Sequence, residues 1–448
     1  MNVMINDIRN DLDTTVEGVQ ATITAMLLIM AILMIPGGKL TDRWGRKRCF
    51  IWGLALFGGG ALVSALSPSL GVLLLGNSVL EGVGTCLLIP PVYILTTMAF
   101  DDVAGRARAF GVISGMAGVG AAAGPLIGGL ITTGISWRAA FLFQVGVIAI
   151  IFFLGRRLVD PVAPDPTRPF DTVGAILSAV GMFFVVFGIL LADNDAVLMA
   201  VFLAVGAAFL LWFFLHIRAR ERADKEPLIS LGLFRNRMSN LGLITQNIQW
   251  LILMGTSFVV SVFLQTVRGY NAIETGVVFT AATAGILASS LAAERLAKRY
   301  PQRTLILAGF VVTAAGIGVL LALVGASSRI VAFVPGLLLI GLGLGAMLTP
   351  SVNVVQSSFP EEQQGEISGV SRAVSNLGSS FGAAIAGTIL VSDLASGNGT
   401  YVIAMVVLAG LALVGLAAAI LLPANPEQPG ASTKAIAPDA PDMVTQHR

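Results

Sequence analysis

Thirteen apolar runs of about 20 residues, separated by short charged or glycine- and proline-rich breaks, leave this chain few ways to fold. They fall at 18–38, 49–67, 70–97, 107–133, 137–155, 172–192, 196–216, 240–266, 274–293, 304–325, 330–356, 365–392 and 399–422. Each is long enough to cross a bilayer as a helix and too long for a barrel strand. With 448 residues, 56% of them hydrophobic, 12% charged, and a mean hydropathy of +0.87, the chain carries more apolar surface than a soluble core could cover. The sequence therefore predicts an all-α polytopic membrane protein in contact with the lipid bilayer.

Loop charge sets the orientation. One alternating set of loops holds Lys39, Arg43, Arg46, Lys47 and Arg48, then Arg106 and Arg108, then Arg156, Arg157 and Arg168. It continues with Arg218, Arg220, Arg222, Lys225, Arg235 and Arg237, and with Arg295, Lys298, Arg299 and Arg303. The other set has only Arg9, Arg138, Arg268 and Arg329. Because Lys and Arg accumulate on the cytoplasmic side, the C-terminus is predicted inside and the N-terminus outside a plasma membrane. Residues 1–12 have no basic segment followed by an apolar core, so they are not a signal peptide, and they read as the end of a helix that begins upstream.

The breaks also divide the chain. Pro161, Pro164, Pro166 and Pro169 stiffen one linker, 155–171. A charged stretch, 216–240, is expected to hold a short surface helix at 227–234. The predicted units are an N-terminal half at 1–155, linkers with two inserted helices at 156–239, a C-terminal half at 240–422, and a disordered cytoplasmic tail at 423–448. Glu294 to Arg303 is a faded copy of Gly38 to Lys47, and each copy joins corresponding helices of its half. Paired repeats around a midplane site are the plan of secondary transporters.

Several function classes drop out. The net charge of +2 is spread by topology and forms no nucleic-acid patch. Pro36-Gly37-Gly38-Lys39 is followed by Leu40 and is no phosphate loop, and Gly341 to Gly345 is a packing face inside an apolar run. His216 and His447 do not suggest a metal site and are expected in solvent or at the interface. Cys49 and Cys86 read as small apolar side chains. No nucleophile, base and orienting group recur at a useful spacing, so the chain is not read as an enzyme and no cofactor is expected.

Two motifs carry chemistry. In Gly38-Lys39-Leu40-Thr41-Asp42-Arg43-Trp44-Gly45-Arg46-Lys47-Arg48, Asp42 and Arg46 stand one turn apart and can pair, while Gly38 and Gly45 permit close approach and a tight turn. The plainer alternative is a topology signal only. In Gly120-Ala121-Ala122-Ala123-Gly124-Pro125-Leu126-Ile127-Gly128-Gly129, the glycines at 120, 124 and 128 align a groove for a neighbouring helix, and Pro125 bends the backbone. A general small-residue packing face is the alternative.

These two stretches resemble the loop and antiporter signatures of the major facilitator superfamily. With two inserted central helices, the chain resembles the fourteen-helix drug:proton antiporters over nearly its whole length. The resemblance implies two six-helix halves that export amphipathic or lipophilic small molecules by alternating access, driven by protons, as a monomer. It implies that the Gly38–Arg48 loop, with Gly38, Asp42, Arg43, Gly45 and Arg46, latches the cytoplasmic side, and that the bent Gly120–Gly129 helix limits leak. Where this family carries an arginine and a glutamine, the chain has Asn77 and Glu81. An intramembrane carboxylate is costly unless it lines a cavity or is paired, so Glu81, with Asn77, is the candidate for proton coupling or cation binding. A structural hydrogen bond between Asn77 and Glu81 is the alternative. Gln246, Trp250, Asn353 and Gln356 could line a substrate cavity or bridge helices. A solute:proton symporter of the same fold, or a transport-incompetent sensor or scaffold, are the competing functions.

Overall fold

The structure is a computed structural model that describes residues 1–99, 113, 116, 120, 124, 126–160, 164, 167, 169–190, 196–297, 299–326, 329–359, 364–392 and 398–423. The tail expected to be disordered lies outside the described residues beyond Pro423, as do Arg106, Arg108, Pro125 and Lys298.

Helices follow the apolar runs, and Thr15, Ser136 and Asn236 supply side-chain caps to three of them. A short helix, α1 (Ile5–Asp11), precedes α2 (Val16–Trp44), whose Thr15 cap accepts from the Gly18 N–H at 3.2 Å. Gly45 alone separates α2 from α3 (Arg46–Ala65). Its φ of +91° is a region that side chains disfavour, and an added Cβ would lie 3.3 Å from Asp160, so the expected tight turn falls at this glycine. The next rod, α4, joins Leu70–Leu73, a π-helical segment Leu74–Leu80, and Glu81–Ala99.

Within the predicted run 107–133 only part is described, as helix α5 at 126–134. Ser136 then caps α6 (Trp137–Gly155). The inserted pair is α7 (Thr172–Leu190) and α8 (Ala196–Arg222). The C-terminal half comprises α9 (Arg237–Val262, continued by a π-helical Phe263–Val267), α10 (Ala272–Ala297), α11 (Gln302–Ala326), α12 (Phe333–Gln356), α13 (Gln364–Val391) and α14 (Gly399–Ile420). Among the described residues, eleven helices are long and apolar enough to span a membrane.

Packing separates two bundles. In the first, α3 lies against α4 and α6 while α2 lies against α4; in the second, α12 packs on α10 and α11, and α9 on α13 and α14. The bundles meet where α2 runs along α13, and α7 lies against both of them. Leu28 and Ile32 of α2, Ala179 and Met182 of α7, and Leu377 and Phe381 of α13 form one apolar cluster there.

The stretch after α8 corrects an expectation. The short surface helix expected at 227–234 is a 3-10 helix at Leu231–Arg235, and the stretch buries Leu228, Ile229 and Leu233 in one apolar cluster with Phe359, Ile367 and Val370. Apolar residues in a charged stretch reach the core while Arg218, Arg222, Asp224, Lys225, Arg235 and Arg237 stay exposed and His216, Arg220 and Glu226 enter ion pairs.

Candidate functional site

The α4 rod holds the central polar group. A π-helical turn closes i to i−5 hydrogen bonds, and the Glu81 N–H donates to the Gly76 carbonyl. Glu81 is 2% exposed, and its Oε2 accepts from Gln144 Nε2 of α6 at 2.9 Å. Its Oε1 has no hydrogen-bond partner among the described residues. Gly60 lets α3 press onto this point, since an added Cβ would stand 2.9 Å from Glu81 Cγ and 2.8 Å from its backbone nitrogen. Asn77 is not the partner of Glu81. Its amide approaches Met26 Sδ at 3.8 Å, and the adjacent Ser78 hydroxyl donates to the Thr22 carbonyl at 2.7 Å, so both reach α2.

Along the seam, the buried Gln20 amide donates to the carbonyls of Ala383 and Ala384 at 3.2 and 3.4 Å, and Ser380 donates to the Thr24 carbonyl at 3.4 Å. At the Lys- and Arg-rich end, Lys39 Nζ meets Glu366 of α13 at 2.7 Å and Glu226 of the α8–α9 segment at 3.0 Å. One cation thus joins both halves and the insertion. Arg46 meets Asp160 at 3.8 Å, and Asp160 also accepts from the Lys47 N–H at 3.2 Å. The side chain of Asp42, its expected partner, lies outside the described residues; Arg43 is in the last turn of α2, and Gly38 has an ordinary 3.9 Å contact with Pro90.

A second charged node fixes the inserted pair. Asp171 accepts from the Gly174 N–H at 2.9 Å, capping α7, from His216 at 2.9 Å and from the Leu228 N–H at 3.2 Å, with Arg220 at 3.6 Å. Burial would push this carboxyl up, but the Gly174 and His216 hydrogen bonds and the Arg220 charge outweigh it and hold it below the usual range. His216, expected in solvent or at the interface, is half-buried and pairs with this aspartate. Arg220 also donates to the Glu226 carbonyl at 3.0 Å, which ties the node to the Lys39 pairs.

The opposite end closes by backbone contact. Ile273 N–H of α10 donates to Thr133 Oγ1 at 3.3 Å, and a Cβ on Gly129 would stand 2.4 Å from the Ala272 carbonyl oxygen. Gly128 has ordinary contacts with Val3 and Met4, whereas a Cβ at Gly120 or Gly124 would meet nothing within 4 Å. The tight backbone approach in this motif is at Gly129, outside the expected series of Gly120, Gly124 and Gly128, and Pro125 is outside the described residues. Asn6 N–H donates to Gln265 at 3.0 Å, and Asp11 accepts from Trp137 at 3.0 Å and pairs with Arg138, so α1 bridges the halves here. The Arg138 guanidinium holds the Asp11 carboxyl below its ordinary range.

In the second half, Gln246 donates to Ser375 and accepts from Ser371, both at 2.9 Å, so its polar atoms bridge α9 and α13. Trp250 and Gln356 are half-buried and Asn353 is exposed. Gln249, with no role in the sequence reading, accepts from Ser351 at 3.0 Å.

Membrane-length helices in two bundles, joined along one seam and tied at both ends by different chemistry, define a polytopic helical membrane protein of the two-half transporter class. The chain belongs to the Major Facilitator Superfamily, which it matches over residues 1–234, 172–383 and 242–444. It is 28% identical over 402 residues to the multidrug resistance protein Stp of Mycobacterium tuberculosis, covering 88% of this chain and 73% of that one. It is 29% identical to the puromycin resistance protein pur8 of Streptomyces alboniger (87% and 77% covered). It is 30% identical to the multidrug efflux pump LfrA of Mycolicibacterium smegmatis (82% and 72% covered).

Proposed function

We propose that this protein is a proton-coupled exporter of amphipathic or lipophilic small molecules, a fourteen-helix drug:proton antiporter working by alternating access in the plasma membrane with its C-terminus in the cytoplasm. It acts as a monomer, with two halves and the α7–α8 insertion at 156–239. The observation that carries the proton coupling is Glu81, a carboxylate buried to 2% inside a membrane-spanning helix. A charged carboxyl at this depth costs several kcal/mol, and retaining one there supports a role for its charge state. The printed names of the relatives, multidrug and puromycin resistance and multidrug efflux, support the substrate class.

In this reading the Thr133–Ile273 and Gly129–Ala272 contacts close the outer end, and the Lys39 pairs belong to the cytoplasmic latch together with Gly38, Asp42, Arg43, Gly45 and Arg46. The Gly120–Gly129 helix forms the outer barrier. Trp250, Asn353 and Gln356 contribute aromatic and amide surface to the substrate path, while Gln246 and Asn77 hold neighbouring helices in place.

Inverted membrane vesicles containing the full chain test this, with ethidium and puromycin as probes and a pH dye as readout. Substrate-dependent proton movement that Glu81→Gln abolishes is expected. Uptake of both probes without proton movement would sink the coupling, and movement of neither probe would sink the exporter reading.

A further inference from the structure

A carboxylate that couples proton flow to transport need not touch the substrate, and the surroundings of Glu81 bear on where it acts. Its partner lies on α6, and the helix pressed against its Cγ is α3. Both belong to the first bundle. Its neighbours on the same turn face elsewhere: Ser78 donates to the Thr22 carbonyl and Asn77 approaches Met26, both on α2. The intervening turn, Leu74–Leu80, is π-helical, a wider coil whose i to i−5 bonds can revert to i−4 with a shift of one residue. And α2 is the helix seated on α13 through Gln20 and Ser380.

We propose that Glu81 carries its proton inside the wall of the first half, that Gln144 is the residue that positions it, and that the π-helical turn passes its charge state to α2 and so to the seam. This rests on the reading of Glu81 as the coupling carboxylate. Oε2 already accepts from Gln144, so the hydrogen of a neutral Glu81 belongs on Oε1, which has no hydrogen-bond partner among the described residues. A Glu81 anion would keep one charge-assisted bond from Gln144 and leave its other oxygen unpaired, which disturbs the α3–α4–α6 packing.

Among the described residues, the helices packed around Glu81 bring no second acidic or basic side chain to it. Residues 18–38 of α2, 50–65 of α3 and 139–155 of α6 hold no Asp, Glu, His, Lys or Arg. The same stretch of α6 has one amide, Gln144, in an otherwise apolar and small-residue run. That amide is placed where the carboxyl needs a donor.

The test is infrared difference spectroscopy of the purified full chain in lipid, stepped in pH, with size-exclusion elution as the fold control. The wild type is expected to show the C=O band of a protonated buried carboxyl, which Glu81→Gln removes. Gln144→Leu takes away the donor to Oε2 and should move that band to higher frequency and displace the pH midpoint of ethidium efflux. Ser78→Ala should leave the band in place but lose the pH dependence of deuterium exchange in the α2 segment around Thr22. A band unmoved in Gln144→Leu overturns the positioning role, and unchanged α2 exchange in Ser78→Ala overturns the link through the π turn. If Glu81→Gln still exchanges ethidium for protons, it is the coupling reading that fails, whatever Gln144 does.

Discussion

Gly129 and Gly124 sit on one helix and belong to one motif, yet their surroundings predict opposite responses to the same added methyl group. At Gly129 the Cβ would enter the Ala272 carbonyl, with Ile273 Cα 3.1 Å away, and neither is a side chain that can swing aside. Gly129→Ala is therefore expected to cost about 1–3 kcal/mol of packing and to reduce efflux. Gly124→Ala, which meets nothing within 4 Å, should leave thermal stability within about 0.5 kcal/mol of the parent. Melting in detergent, followed by size-exclusion fluorescence, separates the two.

Asp171 gives the second residue-scale expectation. Replacing it with Asn weakens every hydrogen bond it accepts, at about 1–3 kcal/mol for a buried group of this kind. Since the folded carboxyl titrates below its ordinary range, its contribution is fully present above about pH 3.9, where an unfolded aspartate ionises, and is lost as pH falls through the lower folded value. The gap in melting temperature between wild type and Asp171→Asn should hold across neutral pH and close only in strong acid. A gap that closes near neutrality would assign it to another group.

Elements show where sequence reading succeeds and where it stops. Where they are described, the predicted apolar runs became helices because length and hydropathy are properties of a contiguous stretch, and Gly45 could be named for a tight turn because it is a glycine inside the charged break between two runs, although that break proved to be the one residue between α2 and α3. Partners that depend on rotation about a helix axis were not legible. Gln144 is one amide in an apolar run, 63 residues from Glu81, and no local pattern gives its direction. The π-helical turn ahead of Glu81 is likewise invisible, and it changes which residues share a face, so Asn77, offered as an alternative partner of Glu81, turns to Met26 instead. The same holds for Lys39, whose carboxylates lie 187 and 327 residues away.

Those two carboxylates set an element-scale expectation. Lys39→Glu should impair efflux by placing three acids together, and Glu366→Lys in the same chain should restore part of it. A double-mutant cycle on stability should give about 1 kcal/mol for the Glu366 arm and less for the Glu226 arm, whose carboxylate is 36% exposed. No rescue would mean that α2 and α13 are held by Gln20 and the apolar cluster alone.

At the scale of the whole molecule, the halves are held at one end by side-chain charges and at the other by backbone contact. Charge pairs with partly exposed carboxylates can separate at modest cost, whereas the Gly129–Ala272 contact is tight only while α5 and α10 stay in register. If the halves rock against each other, the two ends cannot both keep their contacts throughout a cycle. In this structure Thr133 and Ile273 touch, while Met116, a helical residue of the predicted run 107–133, and Leu291, toward the far end of α10, are 62% and 70% exposed. A Thr133→Cys and Ile273→Cys pair should cross-link under mild oxidation and block efflux of ethidium, with activity recovered on reduction. A Met116→Cys and Leu291→Cys pair should cross-link poorly in resting protein and more readily as ethidium and a proton gradient are supplied, because opening the first end brings the second together. Full efflux with the Thr133–Ile273 pair locked would show that this end does not open, and alternating access about the α2–α13 seam would have to be abandoned.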